Sequence, residues 1–176
     1  MIGHPTMEQS TKYQTETQQP LWVFSIELYQ RKGVAAALLA LQDNCGADVN
    51  VLLALSWLAS QKMLVSSELL EEFERVSADW RHNCLQPLRV LRRYLKLQVS
   101  SDTIYQATKA LELEAERWQQ DRLYVCCEPR LASLTRVEGF DAYKQNLDLY
   151  FQGLLQQEQL PSFSAELVAC LKMHLD

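Results

Sequence analysis

The sequence predicts an all-α fold: a single-domain, orthogonal or irregular bundle of about eight helical segments around a central buried helical hairpin. Three observations predict it. Apolar residues recur at helical spacing wherever the chain is not plainly polar. Five glycines and five prolines in 176 residues are too few for the frequent tight turns of a sandwich or barrel. Residues suited to capping helix ends stand between the periodic segments.

In chain order, residues 1–20 are rich in Gln, Thr and Ser and carry few large aliphatics. Such a stretch is expected to be a disordered tail, with the helical domain running from 21 to 176. "LWVFSIELYQ" places Leu21, Phe24 and Leu28 on one face, and Lys32–Gly33 closes it. "VAAALLALQDNC" and "VNVLLALSWLASQ" are apolar on most sides, which predicts two buried helices forming the central hairpin. Gly46 suits the left-handed C-cap of the first of them, and Asp48 the N-cap of the second. Ser66 or Ser67 caps a fourth helix, "SSELLEEFERV", and Ser77 a fifth, "SADWRHNCLQPLRVLRRYLKLQ", which Pro87 should kink or divide. Ser100 or Ser101 caps a sixth, "SDTIYQATKALELEAERWQQDRLYVCC". Asp141 opens a seventh, with Tyr143, Leu147, Tyr150, Phe151 and Leu154 on its apolar side. "LDLYFQG" resembles a protease site used to remove tags, but the apolar pattern continues through it, so it reads as part of that helix. After Pro161 a last helix stacks Phe163, Leu167, Leu171 and Leu175.

The net charge of −5 argues against general polyanion binding while leaving room for a local basic patch. The longest uncharged apolar stretch, Val49 to Ser60, falls short of the roughly 20 residues a membrane span needs. Without a secretory signal the expected location is cytoplasmic. The cysteines Cys45, Cys84, Cys126, Cys127 and Cys170 lack a CxxC pair and read as free thiols, with Cys84, near His82 and arginines, the best candidate for reactivity. The three histidines form no ligand spacing, so no metal and no cofactor is indicated.

Two constellations remain. Arg89, Arg92, Arg93 and Lys96 lie at i, i+3, i+4 and i+7 on one helix side, which Arg81 and His82 can extend. Guanidinium groups on one face suit an anion or an acidic partner. The competing reading pairs them with Glu112, Glu114 and Glu116 of an antiparallel neighbour. The second constellation is Asp43, Asp48 and Asn50 between the two apolar runs, either a structural turn or a carboxylate site with one acid raised in pKa.

The blocks "LWVFSIELY", "LALQDNCGADVNVLLALSWLA", "WRHNCLQPLRVLRRYLK" and "KALELEAER" together resemble an uncharacterised proteobacterial family of short helical proteins known only as a domain of unknown function. The likeness covers about Leu21 to Arg122. It implies a small cytosolic all-α protein and supplies no catalytic residue. The leading functional expectation is a non-enzymatic interaction or adaptor protein whose basic face meets an acidic protein or an RNA-containing complex. The alternative is a small helical enzyme using Asp43 and Asp48 on a small or isoprenoid-like substrate.

Overall fold

The computed structural model describes residues 19–98, 102–137 and 140–154. They form α1 (Pro20–Tyr29), α2 (Val34–Cys45), α3 (Val49–Ser60), α4 (Ser67–Trp80), α5 (Gln86–Lys96), α6 (Asp102–Cys127) and α7 (Asp141–Leu154). A π-helical segment, Arg81–Leu85, joins α4 to α5, and a short 3₁₀ turn, Glu128–Arg130, follows α6. The described residues are helical with no strand; Met63 and Arg136 make one isolated bridge. The expected tail, the caps at Ser100 or Ser101 and the helix after Pro161 lie outside the described residues.

Four expectations about the elements are corrected. Seven of the eight expected segments fall on the described residues, and they form six continuous rods there, because α4, the π-helical segment and α5 run as one. Ser77 does not start a helix; it sits inside α4, fully buried. That helix is capped at Ser66, whose side chain accepts from the Leu69 N–H at 3.2 Å, with Glu68 in the first turn. Of the two outcomes expected at Pro87, a kink or a division, the division does not occur: the rod runs on through a π-helical turn. A proline ring inside a helix crowds the carbonyl four residues earlier, here Asn83. The widened turn absorbs that crowding, with the Gln86 N–H donating five residues back to the Arg81 carbonyl.

The fourth correction concerns the central hairpin. Only α3 is a central rod: Val49 through Ala59 are buried along its whole length. It packs against α1, α2, α4, α6 and α7. The partner helix α2 buries one stripe, Val34, Leu38 and Leu41, and leaves Leu39 exposed. Its other apolar positions are mostly alanines, so the pattern signalled burial on all sides while little side-chain area needed covering.

Gly46 closes α2 at φ 68, with its N–H on the Gln42 carbonyl and the Ala47 N–H on Leu41. A Cβ there meets nothing within 4 Å, so Gly46→Ala strains the backbone alone. Thermal and urea unfolding should show a loss of about 1 kcal/mol. Gly153, inside α7 with equally open surroundings, should gain about 0.5 kcal/mol as alanine.

Helix α7 closes the core. Tyr143, Leu147, Tyr150 and Phe151 are buried. Asn146 is buried too and clips the α3–α4 connection. Its amide donates to the carbonyls of Met63 (3.0 Å) and Leu55 (3.3 Å), and its Oδ1 accepts from the Val65 N–H at 2.9 Å. Every polar atom of that side chain thereby finds a partner, as burial demands.

Candidate functional site

The turn between α2 and α3 anchors a buried polar relay. Asp48 is extended (φ −85, ψ 113), as an N-cap must be, and its Oδ1 accepts from the N–H groups of Asn50 (2.9 Å) and Val51 (3.4 Å). Its Oδ2 accepts from Arg81 Nη1 at 3.0 Å and Gln119 Nε2 at 2.8 Å. Its own N–H donates to the Tyr150 hydroxyl at 2.8 Å, and burial raises the pKa of that phenol. Asp48 is only 3 % exposed, so these partners replace water for both carboxylate oxygens.

The relay then runs through three amides. Asn50 Nδ2 donates to Gln119 Oε1 at 2.7 Å, and Gln120 Nε2 donates to Asn50 Oδ1 at 3.0 Å. All three side chains are buried. Asp43, by contrast, is exposed on α2 and touches none of this. Sequence proximity brings the two carboxylates to one turn, but they share no site.

The basic helix supplies the second cluster. Arg89 and Arg92 turn inward from α5 to the neighbouring α6. Arg89 lies 3.0 Å from Glu116 and 3.6 Å from Glu112, while Arg92 forks onto both oxygens of Glu112. Arg89 and Glu112 side chains are only 12 % and 10 % exposed, so these are not screened surface pairs. Burial pushes the Glu116 carboxyl above its usual range, and Arg89 opposes that rise. Glu114 points to solvent outside the cluster, as do Arg93 and Lys96. Arg81 leaves the basic side altogether and binds Asp48 and Glu74 (3.0 and 3.4 Å), while His82 stays exposed.

Between the relay and the Arg–Glu cluster lies a cavity of about 420 Å³, walled by α1, α2, α3, α5 and α6. Trp22, Ile26, Leu39 and Leu53 form its apolar wall; Arg89, Arg92, Glu112 and Glu116 form its charged end. Ser25, Gln42, Asn50 and Gln120 line the polar end.

The four cysteines among the described residues are free thiols, as expected. Cys126 and Cys127 are buried, and Cys127 donates to the Leu123 carbonyl. Burial pushes the Cys127 thiol up to about 12 and raises Cys126 and Cys45 as well, which disfavours the nucleophilic thiolate. Cys84 is free and half-buried, and Cys170 lies outside the described residues. Among the described residues no group of three or more His, Cys, Asp and Glu side chains is placed to hold a metal ion, and no helix is long and apolar enough to cross a membrane.

Comparison with protein families places residues 20–123, α1 to most of α6, in the family described as "Protein of unknown function (DUF2390)". The chain belongs to that family. The matched stretch contains Asp48, the amide relay, both arginines and both glutamates of the cluster, and the whole cavity lining. It excludes α7, so the hydroxyl that receives the Asp48 N–H and the clip at Asn146 lie beyond the family region. Comparisons with curated proteins and with solved structures gave no match.

The sequence alone did not single out Gln119, Tyr150 and Arg81 as partners of Asp48, or Gln120 as the partner of Asn50. Gln119 and Gln120 side by side in an otherwise amphipathic helix were the available signal, since both fall on its buried side.

Proposed function

We propose that the protein is a non-catalytic helical interaction module that receives an acidic, amphipathic segment of another protein on the outer face of α5. The observation that carries this reading is the row Val90, Tyr94 and Leu97, which are 59, 61 and 79 % exposed. Large apolar side chains standing this far into water in one row along a helix and its C-cap are uncommon on a monomer that meets no partner.

The charge beside that row sets the partner's chemistry. Helix α5 carries four cations and no acid. Arg89 and Arg92 are neutralised by α6, which leaves Arg93 and Lys96 on the outer face, exposed and in no ion pair among the described residues. An apolar row flanked by two free cations suits a helix with an apolar stripe and acidic flanks. A protein is favoured over RNA because Val90 and Leu97 offer nothing to phosphates and Tyr94 is the sole stacking ring on this helix. Helix α6 adds a second outward row, Ile104, Leu111, Trp118 and Val125, at seven-residue spacing.

The test is site-specific photocrosslinking in the native host, with the crosslinker at Tyr94 or, as a control, at exposed Lys144 on α7. A discrete protein adduct is expected at 94 and not at 144. The crosslinked peptide should be acidic and amphipathic, and the adduct should be lost in the R93E/K96E variant. An adduct equal at both positions, one that survives the charge reversal, an RNA adduct, or none at 94 would each overturn the reading. Charge reversal at Arg89 does not serve here, because that side chain holds α5 to α6.

A further inference from the structure

We infer that the cavity between α1, α2, α3, α5 and α6 is a binding site for a small molecule with an apolar body and N–H donors, of the amine, amidine or carboxamide class. This site faces the interior side of α5 and is independent of the outer face discussed above.

The relay dictates the chemistry. An ionised carboxylate only accepts, so Asp48 Oδ2 compels Gln119 to turn its Nε2 toward it. Gln119 Oε1 must then meet the Asn50 Nδ2 group, which leaves Asn50 Oδ1 for the Gln120 Nε2 group. The orientation of each amide is fixed by the one before it, and the last oxygen, Gln120 Oε1, is left over. It is buried with no partner, and so are Gln42 Oε1 and Ser25 Oγ. Of five such atoms among the described residues, these three belong to residues that line this one cavity. Gln120 Oε1 cannot give way to its own NH₂ group without breaking the relay, and with the Gln42 and Ser25 oxygens lining the same cavity it calls for a ligand that donates.

The rest of the lining agrees. A volume of about 420 Å³ lies in the range of small-molecule sites, which combine apolar walls with a few placed polar groups. Trp22, Ile26 and Leu53 supply the apolar wall. At the charged end two arginines meet two glutamates, so no cation is left over to claim an anionic ligand. Ser25 and Gln120 are 3 % and 2 % exposed, so their unmet capacity is not served by bulk solvent.

Three isosteric probes separate the possibilities: benzamidine, benzamide and benzoate, titrated into the full-length protein and followed by side-chain amide and backbone shifts in NMR. Benzamidine and benzamide should shift Ser25, Gln42 and Gln120 saturably, with affinities at least about tenfold above that of benzoate. Gln120→Met, which keeps the shape and removes the acceptor, should weaken benzamide about tenfold, and Gln42→Met should weaken it as well. Equal or tighter binding of benzoate would make the arginines the recognising groups and overturn the inference. So would the absence of saturable shifts, or binding indifferent to both substitutions. If Gln120→Met does not fold, Gln42→Met and Ser25→Ala decide the matter, since neither residue belongs to the relay.

Discussion

Asp48→Ala should destabilise the protein by about 3–5 kcal/mol in urea unfolding followed by helix ellipticity. Part of the loss, about 1 kcal/mol, is the N-cap of α3, whose Asn50 and Val51 N–H groups lose their acceptor. The larger part comes from what stays behind. Arg81 keeps only Glu74 at 3.4 Å, and Gln119, which is fully buried, keeps an Nε2 group with nothing to donate to. Asp48→Asn discriminates the two parts. A single amide oxygen serves the cap or the donors facing Oδ2, not both, so the loss should be intermediate. A cost near 1 kcal/mol for Asp48→Ala would reduce the residue to a cap and remove the relay as a structural element. The asparagine variant also unlocks the amide order, so Gln120 is free to turn its NH₂ toward the cavity and the preference for donor ligands should relax.

Arg89→Ala should cost about 2–4 kcal/mol, because it removes one of the two cations facing a pair of carboxylates of which Glu112 is nearly buried. Arg93→Glu, four residues on but exposed, should stay within about 0.5 kcal/mol. In a double-mutant cycle, Arg89→Met together with Glu116→Gln should be less damaging than the sum of the two single changes. The pH dependence has a definite sign. Burial raises the Glu116 carboxyl, so the folded state holds that proton at a pH where the unfolded chain has released it. Its contribution to stability therefore falls as pH rises from the ordinary glutamate value through the raised one. Removing Arg89, which opposes the rise, should widen that window upward. Unfolding free energies measured between about pH 4 and 7 in both proteins check it.

The local chemistry at the α2–α3 turn is legible in the sequence because it is local. A glycine free to take φ 68 and an aspartate able to reach the N–H groups two and three residues on need no information from elsewhere. The helical class is legible for the same reason, since hydrophobic period is a property of each segment. The Arg–Glu cluster is half legible. Opposite charges on successive helices name the candidates, but only packing selects Glu112 and Glu116 and leaves Glu114 in water. Which arginines remain available outside follows from that selection. The break expected at Ser77 failed because a serine that can cap a helix can also sit inside one when its neighbours bury it.

The relay was beyond the sequence. Asp48 meets Gln119 across 71 positions and Tyr150 across 102, and Asn146 reaches Leu55 across 91. Nothing in a single amide side chain says whether it will face water or another amide. By itself, then, the sequence determined that the described chain is helical, where its turns are capped and which charges compete for partners, because backbone preferences and hydrophobic period act over a few residues. Only the tertiary structure decided that α3 is the central rod, that Asp48 orders three amides, and that a cavity with unpaired oxygens lies behind the basic helix. Those facts depend on which distant polar groups the packing shuts away from water together, and burial turns each missing partner into a cost the fold or a ligand must meet.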